Sequence, residues 1–555
     1  MEQRFQLSRS PIFSAVNQLL CPPGTIQEIE TILLDGQIQC VYKNQWPSLR
    51  AFWIWAAHEH KEATYLYPLF QDVYHVRKSD RVAICARNYP DYIVAFWACR
   101  NWSPQGTLRY CLIHIQCKLI IVDPECADRL EPISKNLVTE TGSSGILVLE
   151  ACDGKGFWEG MQTWDSALKD FKGDGRKLLD MDLGLIPEDN ATILFTSGTT
   201  GNPKGVLSTQ RQFLTNIINV TIAGRRAILR RGEEIPEPVP GPQKGILISA
   251  PLFHVAGITT PILASLSGMK IVLMRKWDRK EASRLIKNEN VAIAGGVPSV
   301  VSDLTDISDG DLSLESIIFG GSPAPDTLAL RAGKAFPAAV MSQGYGLTET
   351  NGAAVGFAGE DYVARPTSCG LATPVNDVII MNGDTSVPPG TVGEVWLRGP
   401  NVMKGYWRDQ DGWLKTGDLG LLDNDGFLYI RDRIKDVIIR GGENIDSVSV
   451  ENAFYADDRV LEVAAVGVPD ARLGELVSAV VFIKPAYKGE VTEASLKSIA
   501  QKSLPKFSVP VMIVMQDEPF ERTPSGKILK VDLRKVAAKE WARRSGQTNT
   551  TTAKL

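Results

Sequence analysis

Apolar runs along the chain are short, unbroken and regularly spaced. Segments 80–86, 118–122 and 145–149 each read as a strand, and 92–99 between the first two reads as a helix. Further on, 245–249, 270–274 and 291–294 repeat the pattern, again with helical stretches between them. Apolar runs without alternation suit strands covered on both faces, and strands alternating with helices suit a largely parallel sheet. From about Gly393 the texture changes to short β-like runs at 393–398 and 427–430. Beyond Arg440-Gly441-Gly442 comes a smaller unit. It has a helix near 448–455, strands near 464–468 and 477–483, and a helix near 493–502. The expected fold is therefore α/β: a large N-terminal domain (1–433) of parallel-rich sheets covered by helices, with a β-rich subdomain. A small mobile C-terminal α+β domain (434–544) and a flexible tail (545–555) follow.

Two stretches depart from this rhythm. Residues 225–244 hold four arginines, then Glu233-Glu234, then Pro236, Pro238, Pro240 and Pro242, and read as an exposed loop. Residues 245–269 hold no Asp, Glu, Lys or Arg, as a membrane span would. Pro251, Gly257, Pro261 and Gly268 interrupt them, and His254 lies inside, so a buried strand, turn and helix fit better and no integral membrane protein is expected.

Composition adds bounds. At 555 residues the chain exceeds what one core organises. Its 60 basic and 64 acidic residues give a net charge of −4, which argues for neither a nucleic-acid nor a membrane-surface partner. Nine cysteines, eight of them before residue 153, form no Cys-x-x-Cys pair, and only five histidines accompany them. A zinc site is not indicated, and the cysteines read as buried small hydrophobes of a reducing compartment.

The strongest chemical signal is Thr196-Ser197-Gly198-Thr199-Thr200-Gly201-Asn202-Pro203-Lys204-Gly205-Val206. It lies between an apolar run and a helix expected to start near Ser208. Glycines let successive N–H groups converge on one spot, hydroxyls add donors, and a lysine adds a mobile positive charge. The loop suits a polyphosphate, though it lacks the Walker A spacing; a flexible linker is the alternative reading.

Five further segments follow in order: Ala250-Pro251-Leu252-Phe253-His254-Val255-Ala256-Gly257; Gly344-Tyr345-Gly346-Leu347-Thr348-Glu349-Thr350; Lys415-Thr416-Gly417-Asp418; Arg433-Ile434-Lys435-Asp436-Val437-Ile438 leading into Gly441-Gly442-Glu443-Asn444-Ile445; and Arg522-Thr523-Pro524-Ser525-Gly526-Lys527-Ile528. Over about residues 50–535 this series resembles the adenylate-forming (AMP-binding) superfamily, and within it the acyl-CoA synthetase and 4-coumarate-CoA-ligase-like branch, including fungal peroxisomal acyl-CoA ligases. The resemblance implies ATP, Mg2+ and CoA as cofactors and a carboxylic acid (fatty, aryl or polyketide-type) as substrate. The acid would become an acyl-AMP and then a CoA thioester, in a secondary-metabolite or toxin pathway.

Carried over residue by residue, the resemblance assigns the nucleotide phosphates to Thr196, Ser197, Gly198, Thr199, Thr200, Gly201 and Lys204. Glu349 would hold the metal and Thr348 would bond the α-phosphate. Tyr345 would stack on adenine, Asp418 would accept from the ribose hydroxyls, and Arg433 would add a sugar contact. Lys527 would reach the α-phosphate and the attacking carboxylate, and His254 would lie near the carboxylate or the thiol channel. Lys435 would be the hinge about which the small domain turns for the second half-reaction, with Gly441 and Gly442 lining the pantetheine passage. A stand-alone adenylation enzyme loading a carrier protein and a non-catalytic acyl or adenylate binder are the competing readings.

One departure from the family pattern is visible. Only residues 100–107 separate Trp97-Ala98-Cys99 from Leu108-Arg109-Tyr110, where relatives carry a further strand and an Asn/Pro loop. Either the sheet is rearranged, or the encoded sequence lacks an internal piece, as a misread splice junction would produce. The chain ends in a polar stretch and Ala553-Lys554-Leu555, a variant of the Ser-Lys-Leu address. A peroxisomal location and an import receptor as partner are the expectation.

Overall fold

The computed structural model describes residues 16, 19–34, 36–59, 73–78, 80–98, 108–171, 183–196, 203–237, 241–307, 312, 314–322, 324–404, 412–522 and 528–545. Segment 100–107, Ser197, Gly198, Thr199, Thr200, Gly201, Lys527 and the tail ending Ala553-Lys554-Leu555 lie outside the described residues.

Among the described residues, six sheets follow one another along the chain. Strands β1 (Ile29–Leu34) and β2 (Gln37–Tyr42) make an antiparallel hairpin. Strands β3 (Val82–Cys85), β4 (Leu119–Val122), β5 (Ile146–Val148) and β6 (Gln162–Thr163) form a parallel sheet in sequence order. Every residue of β3, β4 and β5 is buried, which is why those runs show no alternation. Strands β7 (Asn190–Thr196) and β8 (Lys204–Thr209) form a two-stranded antiparallel pair.

The largest sheet holds β9 (Gly245–Ile248), β10 (Lys270–Leu273), β11 (Val291–Gly296), β12 (Ser316–Gly320), β13 (Val340–Leu347), β14 (Gly352–Ala358) and β15 (Leu371–Ala372). Their spatial order is β10-β9-β11-β12-β13-β14-β15, parallel up to β13 and antiparallel thereafter. An antiparallel sheet of β16 (Asp377–Asn382), β17 (Thr385–Ser386), β18 (Gly393–Arg398), β19 (Leu414–Leu422) and β20 (Leu428–Arg433) comes next. The last sheet joins β21 (Ile438–Arg440), β22 (Glu443–Ile445), β23 (Val460–Asp470), β24 (Gly474–Ile483) and β25 (Met512–Gln516). Its core is its own, built on Phe454, Val463, Ala479, Val481 and Leu496.

Helix Gln210–Arg230 carries the interior of the large domain. Thr209 Oγ1 accepts from Gln212 N at 3.2 Å and Gln212 Oε1 accepts from Thr209 N at 2.9 Å, a reciprocal cap that sets the start. The helix expected near Ser208 thus begins at Gln210, because Lys204 through Thr209 are held in the β7–β8 ladder. Phe213, Leu214 and Ile217, all at 0% exposure, pack it against the first parallel sheet.

Two expectations are corrected. Residues 225–230 are not an exposed loop but the last turns of this helix, and Arg226 and Arg230 are buried. Arg226 donates to the carbonyls of Gly356 and Ala372, and Arg230 pairs with Asp361 at 3.3 Å. A guanidinium with fixed acceptors tolerates burial that a charge count along the sequence does not anticipate. The cysteines are also not uniformly interior: Cys40 and Cys152 are exposed, whereas Cys85, Cys111, Cys117 and Cys369 are buried. No helix among the described residues is long and apolar enough to cross a membrane.

Gly257 sits where the turn after β9 enters helix Val255–Leu266, and an added Cβ would stand 1.8 Å from the Pro251 carbonyl oxygen. Gly257→Ala is expected to destabilise the large domain by about 1–3 kcal/mol, read as a lower denaturation midpoint. An unchanged midpoint would show that the turn yields freely.

Candidate active site

Among the described residues, Tyr345, Glu349, Asp418, Arg433, Thr196 and Lys204 lie where three sheets meet. Strand β13 runs parallel to β12, then folds back into β14 through the 3-10 turn Thr348–Thr350. The hairpin is tight: a Cβ on Gly346 would lie 1.7 Å from the Gly352 carbonyl oxygen, so no other residue fits there. Thr350 Oγ1 accepts from Leu347 N at 2.9 Å and donates to Gly352 O at 2.7 Å. Asn351 closes the turn in the left-handed region, at φ 55°. These bonds leave Thr348 and Glu349 on the turn itself.

Tyr345, on β13, reaches across to the five-stranded sheet, and its hydroxyl donates to Asp418 Oδ2 at 2.7 Å. Asp418 lies on β19, opposite Arg433 on β20, and Arg433 Nε stands 3.1 Å from Asp418 Oδ1. Asp418 is nearly buried, with its side chain 6% exposed, whereas that of Arg433 is 45% exposed. A buried carboxylate is costly unless paired and bonded, and this one is held by a phenol and a guanidinium. Burial first, and the neighbouring Asp418 charge second, push the Tyr345 hydroxyl well above the ordinary tyrosine value. Tyr345 therefore stays a proton donor throughout the working range.

The phosphate-loop hairpin is tied to the same place. Thr196 and Lys204 face each other at the open end of the β7–β8 ladder, so the chain between them leaves and re-enters at one point. Met403 N donates to Glu349 O at 2.8 Å, and Lys404 N donates to Leu207 O at 3.0 Å. One short stretch thus clamps the Glu349 turn to β8. Val206 packs in the same cluster as Tyr345 and Leu347.

His254 caps helix Val255–Leu266, its Nδ1 accepting from Ala256 N at 3.3 Å. Asn88 braces the approach, donating to Ala250 O and accepting from Leu252 N at 2.7 Å. Lys435 is exposed, in the turn between β20 and β21 where Asp436 N and Val437 N both donate to Arg433 O. Just before it, buried Asp432 accepts from Ser447 N at 2.7 Å, joining the β20 end to helix Ser447–Tyr455. Gly441 and Gly442 have φ 60° and 89° and make the two-residue turn of the β21–β22 hairpin, the geometry such turns require.

Tyr345, Asp418 and Arg433 are therefore in direct contact, and Glu349 and Lys204 are linked to them through one brace. Gly441 and Gly442 sit in a separate sheet. Missed from the sequence were the buried asparagines around the turn: Asn216, Asn219, Asn351, Asn376 and Asn401. Asn216 and Asn219, three apart on one face of helix Gln210–Arg230, were the available signal.

A metal has a conditional place here. Among the described residues no group of three or more His, Cys, Asp or Glu is placed to hold one. A single carboxylate on the Glu349 turn suits Mg2+, which binds through one or two carboxylates plus substrate phosphates. The buried Asn351 Oδ1 has no bonding partner among the described residues, which leaves an acceptor beside that turn.

Comparison with known proteins was made against this geometry. Residues 73–407 match the family model described as AMP-binding enzyme, and residues 449–527 match the AMP-binding enzyme C-terminal domain. A feruloyl-CoA synthase of Amycolatopsis is 30% identical over 477 residues, covering 83% of this chain and 89% of that protein. A long-chain-fatty-acid–CoA ligase of Mycobacterium tuberculosis is 33% identical over 360 residues, covering 62% of this chain and 67% of that one. Among solved structures, the o-succinylbenzoate CoA synthetase of Bacillus subtilis, in complex with its acyl-adenylate intermediate, aligns with TM-score 0.63 at 26% identity. It covers 90% of this chain and 94% of that one.

The Tyr345–Asp418 bond makes a stability prediction with a definite pH sign. Tyr345 has a folded-state value above its unfolded one, so its contribution is complete below about pH 10, where free tyrosine titrates. It fades as pH rises toward the folded value. Tyr345→Phe should therefore cost a constant amount near neutrality, about 1–3 kcal/mol for leaving buried Asp418 one donor short, and less in strong alkali. Denaturation midpoints of both proteins across pH check this; a difference that grows with alkalinity contradicts it.

Proposed function

The chain belongs to the AMP-binding enzymes, and from that premise we propose that it is an AMP-forming acid–CoA ligase. The observation that carries the reading is the Tyr345–Asp418–Arg433 contact joined through residues 403–404 to the Glu349 turn and the Lys204 hairpin. This is an arrangement that can hold a base, a sugar and a phosphate chain in a row.

The reaction begins with two anions. A carboxylate oxygen attacks the α-phosphorus of ATP, the bond to the bridging oxygen breaks, and pyrophosphate leaves with the electron pair. Alignment in a bound complex is worth up to about 7–11 kcal/mol. Asp418 takes the ribose hydroxyls, and its existing bonds to Tyr345 and Arg433 fix its oxygens before ligand arrives. Thr348 bonds the α-phosphate, and Lys204 and Thr196 take the outer phosphates. Glu349 would hold Mg2+, which supplies charge neutralisation for the departing pyrophosphate. Lys527 brings one cation to both the α-phosphate and the incoming carboxylate, so the repulsion between them falls. In the second step a thiol sulfur attacks the acyl carbon. AMP leaves with the electron pair of the acyl–oxygen bond, and the thiol proton passes to solvent. Rotation about Lys435 clears the small domain from that approach.

The relatives are named for acids as different as a long-chain fatty acid and ferulate. For this chain we assign an acid with an apolar body. The parallel strands β11 and β12 end in Gly296 and Gly320, and the parallel pairing of β12 with β13 stops at Gly344, with Val297 and Val300 beside them. Ligands of such sheets bind at the strand C-terminal ends. The Ala553-Lys554-Leu555 ending supports import into peroxisomes, tested by a fluorescent fusion with and without those three residues.

The central test is acid-dependent ATP–pyrophosphate exchange with a panel of fatty and aryl acids, followed by AMP release with and without CoA. Exchange is expected for an apolar acid, with CoA accelerating AMP release. Lys527→Ala should lower exchange by about 10²–10³-fold, while thioester formation from supplied acyl-adenylate falls far less. Absence of ATP-dependent chemistry with every acid would overturn the reading.

A further inference from the structure

A chain of buried side-chain amides runs through the large domain to the Glu349 turn, and its direction is set by backbone carbonyls. Asn401, at 0% exposure, donates from Nδ2 to Thr350 O at 2.8 Å. A carbonyl can only accept, so the Asn401 amide must present its NH2 there and its Oδ1 on the opposite side. That oxygen receives Asn376 Nδ2 at 2.6 Å, which also donates to Arg398 O. Asn376 Oδ1 then receives Asn219 Nδ2 at 3.0 Å, and the same NH2 donates to Ala353 O at 2.9 Å. Asn219 Oδ1 finally accepts from the Tyr42 hydroxyl at 2.9 Å. Every donor points toward the turn, and bonds aligned head to tail polarise one another.

Other bonds close the frame. Asn351 Nδ2 donates to the Asn401 carbonyl at 2.9 Å. Asn216 Oδ1 accepts from Ala353 N at 2.8 Å, so Asn216 and Asn219 hold both polar groups of Ala353, the second residue of β14. Thr373 Oγ1 donates to Asn376 Oδ1 at 2.7 Å. Asn219, Asn376 and Asn401 are buried, on a helix, on the approach to β16 and after β18 respectively. Three elements distant in sequence thus form one chain, which ends at the carbonyl of Thr350, the residue that follows Glu349.

We propose that Asn401, backed by Asn376 and Asn219, is a positioning residue that aims Thr348 and Glu349 at the metal–phosphate end of the bound nucleotide. The proposal rests on the nucleotide reading above. Asn401 touches no reactant; it acts by holding the Thr350 carbonyl, and so fixing the turn one residue from the carboxylate. Its loss should appear as a changed magnesium requirement rather than as a uniform fall in activity.

The test uses the full-length protein, Asn401→Leu, the milder Asn401→Ser, and Leu304→Ala as a control with a core residue removed far along the chain. Three quantities are measured: the magnesium concentration giving half-maximal pyrophosphate exchange, calorimetric affinity for ATP with magnesium and with chelator, and thioester formation from supplied acyl-adenylate. Both Asn401 variants should raise the magnesium midpoint about tenfold or more and weaken magnesium-dependent ATP binding to a similar degree. Chelated ATP and the thioester step should change less than about twofold. Leu304→Ala should leave the magnesium midpoint in place. Should Asn401→Leu not fold, Asn401→Ser carries the same expectation. An unshifted midpoint in a folded Asn401 variant, or an equal shift in Leu304→Ala, overturns the positioning role while wild-type exchange leaves the ligase reading intact. A wild-type protein that does not bind ATP overturns both.

Discussion

A turn that carries a carboxylate at the meeting of three sheets must satisfy its own backbone before it can serve a ligand. Water does not reach Thr350 or Asn351, and an unmade bond to a buried carbonyl costs about 1–3 kcal/mol. The protein meets this demand with groups from elsewhere: the Asn401 side chain for the Thr350 carbonyl, the backbone Met403 N for Glu349 O, and the Asn216 and Asn219 side chains for Ala353. The same bonds that make the turn affordable in a dry interior also fix where it points. Satisfaction of the backbone and placement of Glu349 are one interaction viewed from two sides.

Binding geometry follows from that anchoring. With the turn held, Tyr345 four residues earlier is committed to the face of β13 that meets β19, and Asp418 receives its phenol. With Lys404 N bonded to Leu207 O, the β7–β8 hairpin is held against the same turn. In the proposed reaction, two anions must be brought into line and the released charge absorbed, a demand best met by groups whose positions are set before any ligand arrives. The small domain has a separate core and joins the large one near Arg433, Lys435 and the Asp432–Ser447 bond. A domain with its own core can turn without unmaking the site it serves.

Legibility differed by kind of residue. Strands β3, β4, β5, β9, β10 and β11 were readable from unbroken apolar runs, whereas β12 and β13 were not, because Ile318 is exposed and Ser342 and Gln343 interrupt the second run. Glu349, Asp418 and the Thr196–Lys204 loop were singled out by the resemblance of the segments that carry them, since an isolated acid reads as a solvated carboxylate. Arg226 was misread: a run of arginines and prolines looks exposed until the Gly356 and Ala372 carbonyls are seen beside it. The asparagines were silent, since each stands alone in sequence and an isolated Asn most often marks a turn. Only Asn216 and Asn219 shared a helix face that hinted at a purpose.

What the primary structure settled alone was local: which segments bury both faces, and which residue types are grouped in short motifs. These depend on neighbours within a few positions, so periodicity and composition report them. Tertiary structure decided the partners: Tyr345 with Asp418, Asn401 with Thr350, and Lys404 with Leu207, pairs separated by 73, 51 and 197 residues. Hydrogen bonds act over about 3 Å. Contacts of that reach between distant segments exist only after the sheets have packed, and no local pattern can encode them.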